Sequence, residues 1–345
     1  MTQNKEIPST YAEAGIDLSL EGQILKTINN YVKKSFQFGD VVAREGHYAN
    51  MIRLGDLGLA LTSDGVGTKL LIAQDVGKLD SIGIDCVAMN VNDLLSMGIP
   101  PKAFVDYLAV SELNESQIEQ IIAGIYKGCE MSEIPLLGGE LATVPEMLVD
   151  KKNAFDVAGT ALGIVSLDKV IDGSKVKPGD SVIGISSSGL HSNGFTIVRK
   201  ILSIKYLLTE SFPWERVVYE ELLEPTRIYV KAILDLIKKC SVSGLAHITG
   251  GGFKKLFRLT SYGFELSDFP KPLNIFEEIR TLGKISFQEM FSVFNMGIGF
   301  VVVVPQEEEK TALQILNQYF ESYKIGQVTK DPIVSIPEYE VLFVR

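Results

Sequence analysis

The eight residues Thr62-Ser63-Asp64-Gly65-Val66-Gly67-Thr68-Lys69 combine a carboxylate, two glycines and an ammonium in a short stretch. They follow the apolar run Leu57 to Leu61, short enough for a buried strand, and precede Leu70-Leu71-Ile72-Ala73, which can open a helix. Asp64 is therefore expected at a strand end, beside glycines that let backbone amides approach a ligand, with Lys69 following. That set suits a metal-bound phosphate. The spacing is not that of a P-loop, and a tight turn whose Asp caps a helix fits these residues about as well.

A second stretch, Ser81 to Pro101, contains no Lys, Arg or Glu; its only charges are Asp85 and Asp93. On a helical wheel Val87, Val91, Leu94 and Leu95 share one face, while Asp85, Met89, Asn92 and Ser96 gather opposite, with Asp93 beside them. This predicts a helix buried on one side and lining a cavity on the other. Buried carboxylates need a cation, a metal or hydrogen-bond donors, so Asp64 and Asp93 form a candidate magnesium pair, unless the aspartates merely bind neighbouring amides. Ile134 to Leu137 reads as a short strand ending in Gly138-Gly139-Glu140, a further carboxylate at a strand end, or a surface turn.

In the second half, strand Ser181 to Ile185 leads through Ser186 to Gly194, which holds His191, into a helix from Phe195. A small-residue loop at a helix N-terminus exposes amides and the positive end of the dipole, an anion site. Leu245 to Thr249 followed by Gly250-Gly251-Gly252 repeats the arrangement; adjacent glycines point to close approach of ligand or backbone.

These groups need elements to hold them. Ile24, Ile28 and Tyr31-Val32 recur at helical spacing, and Phe36 to Ile52, with Gly39, Gly46 and His47, reads as a loop or a mobile cover. Phe104 to Val110 and Asp156 to Val165 are strand-like, and Glu115 to Gly128 and Glu224 to Ile237 helical. Phe300 to Val304 is a strand, Glu307 to Phe320 a helix, and two short strands close the chain. The turn-rich Asp168 to Asp180 divides it into domains 1–168 and 169–345.

At 345 residues and 46% hydrophobic composition, two packed cores are expected. A net charge of −10 argues against a nucleic-acid partner. Three scattered cysteines, Cys86, Cys129 and Cys240, indicate a reducing compartment without structural zinc. The N-terminus lacks the apolar core of a signal peptide, and the longest aliphatic run, Ile298 to Val304, cannot cross a bilayer. A soluble cytoplasmic protein is expected.

The order of motifs resembles the AIR synthetase (phosphoribosylformylglycinamidine cyclo-ligase) family nearly end to end. The resemblance rests on Tyr11 to Asp17, Ser63 to Lys69, Gly83 to Asp85 with Val91 to Asp93, Gly138 to Glu140, Asp156 to Gly159, Gly189 to Gly194, Pro225 to Arg227, Ala246 to Gly252 and Phe294 to Gly297. It implies an α/β fold of two domains and a homodimer in which the four-stranded sheets of two N-terminal domains close into a barrel. It implies ATP and magnesium held by Asp64, Gly65, Gly67, Thr68, Lys69, Asn92, Asp93, Gly139 and Glu140. It implies substrate or phosphate at His191, Ser192, Asn193, Gly194, Thr249, Gly250, Gly251 and Gly252, with Asp64, Lys69, Asp93 and His191 in the chemistry. The implied reaction turns formylglycinamidine ribonucleotide (FGAM) and ATP into 5-aminoimidazole ribonucleotide (AIR), ADP and phosphate.

The chain departs from the family pattern at Leu141, usually Thr, at Lys254 to Arg258, usually running toward Asn-Pro-Arg, and at Gly46-His47-Tyr48. Leu141 keeps open a non-catalytic nucleotide-binding dimer. Other ATP-dependent relatives fit less well: no cysteine precedes Cys86, as selenophosphate synthetase would have, and the chain ends Leu342-Phe343-Val344-Arg345 rather than in a cysteine.

Overall fold

The computed structural model describes residues 18–42, 49–148 and 152–345. Tyr11 to Asp17 and Gly46-His47-Tyr48 lie outside the described residues. The first half comprises α1 (Leu18–Ser35), β1 (Val41–Val42), β2 (Met51–Leu54), β3 (Leu57–Gly65), α2 (Leu70–Val76), α3 (Asp80–Leu95), β4 (Pro101–Val110), α4 (Glu115–Ser132), β5 (Leu136–Thr143) and β6 (Phe155–Ser166). Its strands form one mixed sheet in the order β1-β2-β3-β6-β4-β5. Among the described residues only β4 and β5 of this sheet run parallel, and α4 makes the crossover such a pair requires.

The sheet thus has six strands where the resemblance implies four. Val41–Val42 and Met51–Leu54 pair onto the β3 edge. Their sequence reads as loop, because strands so short carry too few residues to show a period of two.

β6 alternates buried and half-exposed residues along almost its whole length, as a strand with one covered face must. Phe155, Val157, Gly159, Ala161, Gly163 and Val165 face the helices. Helices α3 and α4 touch backbone to backbone: a Cβ at Gly124 would lie 1.9 Å from the Asp80 carbonyl oxygen, and one at Gly83 2.2 Å from the Ile125 nitrogen. The opposite sheet face presents Leu57, Leu61, Val105 and Tyr107, all exposed.

The second half comprises β7 (Ser181–Ser186), α5 (Phe195–Leu202), α6 (Val218–Leu222), α7 (Val230–Lys239), β8 (Gly244–His247), β9 (Gly263–Glu265), α8 (Asn274–Gly283), α9 (Phe287–Val293), β10 (Ile298–Val304), α10 (Glu309–Leu316), β11 (Ser322–Thr329), β12 (Ile333–Ile336) and β13 (Val341–Val344). Its sheet runs β13-β12-β9-β11-β7-β10-β8. Every residue of β10 is buried, which is why it reads as an unbroken apolar run. Among the described residues no helix is long and apolar enough to cross a membrane.

The two halves meet along α3. This helix is buried almost all round, with Asp93 left partly exposed. Its buried polar side chains bind the other half. Asp85 Oδ1 accepts the Thr226 N–H at 2.7 Å. Asn92 donates through Nδ2 to the Arg227 carbonyl at 2.8 Å and accepts the Tyr229 N–H on Oδ1 at 3.1 Å.

Candidate active site

Asp64 is the penultimate residue of β3. Strand register puts it in one row with Gly159 of β6, Asp106 of β4 and Gly139 of β5, on the helix-facing side. The strand end is tied to α3 by Asn90, whose Nδ2 donates to the Asp64 carbonyl at 3.1 Å, and by Thr62 Oγ1, which donates to the Asn90 carbonyl at 3.0 Å. Asp64 Oδ1 accepts its own Gly65 N–H at 2.8 Å. Although the residue keeps exposed surface, surrounding protein and then the charge of Asp93 raise its carboxyl above the usual range.

Asp93, in the last turn of α3, reaches the end of β8, where its Oδ1 lies 2.9 Å from His247 Nδ1. The His247 N–H in turn donates to Ser96 Oγ at 3.0 Å, so the end of α3 is fastened to β8 twice. Burial lowers the His247 pKa below its ordinary value and outweighs Asp93, which pulls the other way. A neutral ring beside a carboxylate carries its proton on the facing nitrogen, so His247 donates from Nδ1 to Asp93.

Lys255 completes the cluster from the 3-10 stretch Gly252–Arg258. Its ammonium bonds Thr249 Oγ1 and feels both Asp93 and Asp64. Burial outweighs those carboxylates and brings its pKa down to about 8. The junction therefore holds two neighbouring carboxylates, a half-buried lysine and a threonine hydroxyl.

These residues fit magnesium. Asp93 raises the Asp64 carboxyl through like-charge repulsion, which a divalent cation would relieve, and both offer the hard oxygen donors magnesium prefers. No group of three or more His, Cys, Asp or Glu side chains among the described residues is placed to hold a metal, so water and phosphate oxygens would complete its shell. Glu140 is not a third ligand within this chain. It sits inside β5, not at its end, and pairs with Tyr107, which places it on the sheet face away from Asp64. Gly139 is needed where it stands, because a Cβ there would lie 2.4 Å from Asp106 Oδ1.

Two further expectations are corrected. The Lys69 ammonium is wholly buried, 2.7 Å from Asp85 Oδ2, and donates to the Glu224 carbonyl at 2.8 Å, so it joins the halves and does not face a phosphate. Asn92 has both amide atoms engaged by the second half, as described above, and is closed to a ligand. Gly65, Gly67 and Thr68 stay near the junction. Gly67 has φ +73° and open space around it, and Thr68 Oγ1 lies 3.0 Å from Thr196 Oγ1 in the first turn of α5.

The 187–194 loop is pinned from several sides. Ser187 Oγ bonds Asn295 Oδ1 at 3.0 Å, Ser188 Oγ donates to the Pro225 carbonyl at 2.5 Å, and Ser192 Oγ lies 2.9 Å from Thr226 Oγ1. His191, at φ +61°, accepts the Ser188 N–H on Nε2 at 3.2 Å. Its ring is 1% exposed and held well below its ordinary pKa by burial first, so it is neutral. It props the loop from beneath and does not present a nitrogen to a cleft, contrary to its expected contact with substrate.

Asn193 lies against Gly250, where a Cβ would come 2.9 Å from its Oδ1. Gly194 makes room for Phe294, and Gly252 for the Phe291 carbonyl, whereas Gly251 is exposed. The glycines at 194 and 252 thus serve packing; Asn193, Gly250 and Gly251 keep exposed surface, whereas Ser192 and Thr249 are buried.

Sequence reasoning missed His247, Asp106 and Lys255. His247 sits in an apolar strand and reads as a core residue. Asp106, inside a strand, carries no turn signal. Lys255 stands out only as a departure after the triple glycine, which is the usable signal.

Two α/β halves joined at an acidic pair define the class: the AIR synthase related protein models match residues 46–165 for the N-terminal domain and 177–337 for the C-terminal domain. The chain belongs to this family. It is 50% identical to the phosphoribosylformylglycinamidine cyclo-ligase of Pyrococcus furiosus, across 97% of this chain and 99% of that one. It is 45% identical to the protein of that name from Methanosarcina barkeri, across 89% and 92%. Among solved structures, thiamine monophosphate kinase from Aquifex aeolicus shares the fold with a TM-score of 0.63 at 17% identity, covering 94% of this chain and 99% of that one. PurL of T. maritima complexed with ADP gives 0.57 at 18% identity, covering 86% of this chain and 44% of that one.

Proposed function

We propose that this chain is a phosphoribosylformylglycinamidine cyclo-ligase of purine biosynthesis, closing the imidazole ring of AIR from FGAM as ATP becomes ADP and phosphate. The observation that carries this is 50% identity to proteins of that name over almost the whole of both chains. An amide oxygen is a poor leaving group. Attack of the FGAM formyl oxygen on the γ-phosphorus releases ADP and gives an O-phosphorylated imidate. The amidine nitrogen then bonds to that carbon, the C–O bond breaks to free phosphate, and the nitrogen gives up a proton.

Such a reaction asks the protein chiefly for alignment and charge neutralisation. Asp64 and Asp93 would hold magnesium, which when bound screens the triphosphate charge. Lys255, kept between the carboxylates and Thr249, neutralises charge on the transferred phosphoryl group. His247 fixes the orientation of Asp93, and Asn193, Gly250 and Gly251 offer donors to the substrate. ATP use is supported by related folds solved with nucleotides, PurL with ADP and the A. aeolicus kinase with AMPPCP.

In this reading residues 1–168 bind nucleotide and dimerise, and residues 169–345 bind substrate. A homodimer is supported by the exposed apolar sheet face and by α1, whose Ile24, Ile28 and Tyr31 are exposed. Glu140 lies on that face, where a second copy would meet it. Free, buried thiols at Cys86, Cys129 and Cys240 accord with a cytoplasmic setting.

The test is incubation of the purified chain with FGAM, magnesium and ATP. AIR, an aromatic amine, is expected in equal amount to ADP. ADP without AIR would make the chain a different phosphotransferase, and neither product would leave only nucleotide binding.

A further inference from the structure

A cavity of about 930 Å³ lies apart from the Asp64–Asp93 site. It lies where Pro100 and Val165 of the first half meet Leu234, Ile237 and Pro305 of the second, closed by the connecting chain around Lys169 and Lys175. Val165 is six residues along β6 from Gly159, the partner of Asp64. At the rise of a strand that is roughly 20 Å. The two sites share no residue.

Its charge is opposite to that of the chain. Lys102, Lys169, Lys175, Lys177 and Lys238 line the cavity against one carboxylate, Asp168, in a protein of net charge −10. Among the described residues none of these five lysines forms an ion pair. A break in the β4–β6 register between Pro101 and Ala103 falls at Lys102, and such irregularities re-aim side chains. The lining also includes the apolar side chains of Ile171, Leu234, Ile237 and Val242. The volume is within the range of about 300–1,000 Å³ typical of small-molecule pockets.

We propose that this cleft is a second binding site, for a nucleotide di- or triphosphate, with the phosphates among the lysines and the ring on the apolar wall. Concentrated positive charge in an acidic protein selects a compact polyanion. Lysines acting as point charges suit phosphates without demanding a fixed geometry. The apolar wall distinguishes a nucleotide from inorganic polyphosphate, which would leave it wet.

Equilibrium dialysis with labelled ADP tests this on the full chain. With magnesium, two ADP per chain are expected; in EDTA the cleft site should remain and weaken as salt is raised. Lys169→Glu/Lys175→Glu should weaken that magnesium-independent binding at least tenfold, and Lys102→Glu/Lys238→Glu likewise. The same charge change at exposed positions elsewhere, Lys310→Glu/Lys330→Glu, should not. No ADP bound in EDTA, or equal loss in the control pair, overturns the site. Tripolyphosphate binding as tightly as ADP overturns the assignment of a nucleotide.

Discussion

Asp93 Oδ1 lies 2.9 Å from His247 Nδ1, a contact between residues 154 apart in sequence that joins the last turn of α3 to the end of β8. An outer hydrogen bond of this kind orients a metal-binding carboxylate, and its loss typically costs about 10- to 100-fold in metal affinity or activity. His247→Ala is therefore expected to raise the magnesium concentration needed for half-maximal turnover by that order. His247→Asn, which keeps a donor near the same place, should recover part of it. Magnesium dependence unchanged in both variants would remove Asp93 from the metal site.

Lys69 and Asp85 make the corresponding buried ion pair, 2.7 Å apart with neither side chain exposed. Removing one partner leaves an uncompensated buried charge, a loss of about 3–5 kcal/mol. Lys69→Met should unfold at much lower denaturant, while Lys69→Met/Asp85→Asn should recover much of the loss, because the amide oxygen introduced by the second substitution can still accept the Thr226 N–H. A phosphate-binding lysine would behave differently, losing ATP affinity with stability unchanged. Chemical denaturation alongside ATP titration separates the two.

Lys255 gives a pH dependence of definite sign. Burial brings its pKa from the ordinary lysine value down to about 8, so the ammonium is present below that pH and lost above it. If the ammonium neutralises phosphoryl charge, kcat/KM should fall about tenfold per pH unit above pH 8 in the free enzyme. Lys255→Met should lower kcat/KM by about 10²- to 10³-fold and abolish that alkaline limb, as expected for a charge stabilising a transition state. An alkaline limb that survives in Lys255→Met would assign it to another group.

Local pattern carried the fold because strands such as Leu57–Gly65 and Phe155–Ser166 alternate or run apolar within a few residues. It also carried Asp64, whose strand-end position follows from its immediate neighbours. It failed where a polar residue answers to a distant partner. Lys69 and Asn92 look like ligand groups in sequence, but Asp85, Glu224, Arg227 and Tyr229 absorb them, and three of those four partners lie more than 130 residues away. Glu140 failed for another reason. β5 continues through Gly138-Gly139, residues that ordinarily signal a strand end, because Gly139 is needed to clear Asp106. His247 was hidden by the apolar run around it, and Lys255 by a triple glycine whose last member answers to packing.

His191 links the pinned loop to acid stability. Its ring is buried and its pKa held well below the ordinary value, so below about pH 6.5 the unfolded chain takes up a proton that the folded chain refuses. Its contribution is whole above that pH and lost as pH falls, by up to about 1.4 kcal/mol per pH unit until the folded ring titrates. His247, shifted in the same direction, adds to the slope. His191→Asn keeps a residue tolerant of the positive φ and removes one proton from the linkage. Thermal melts between pH 7 and 5 should show a shallower acid fall in the variant, and an identical slope would mean His191 is protonated in the folded protein.

The exposed sheet face gives the proposed homodimer a direct test. Leu61 is 63% exposed and Tyr107 48%, and register places Leu61 beside Leu162 on the sheet face opposite α3 and α4. A contiguous apolar sheet of this kind marks an interaction surface, and a second copy supplies a matching face by symmetry. Leu61→Arg sets a charge on each copy at the point of contact without touching the helix-facing core. Sedimentation should show the wild type near twice the 37.9 kDa chain mass and the variant shifted toward one chain, with helix content unchanged. Because Glu140 shares that face, the monomeric variant should also lose turnover. Full activity in a demonstrated monomer would show that one chain holds the complete site and that Glu140 has no part in it.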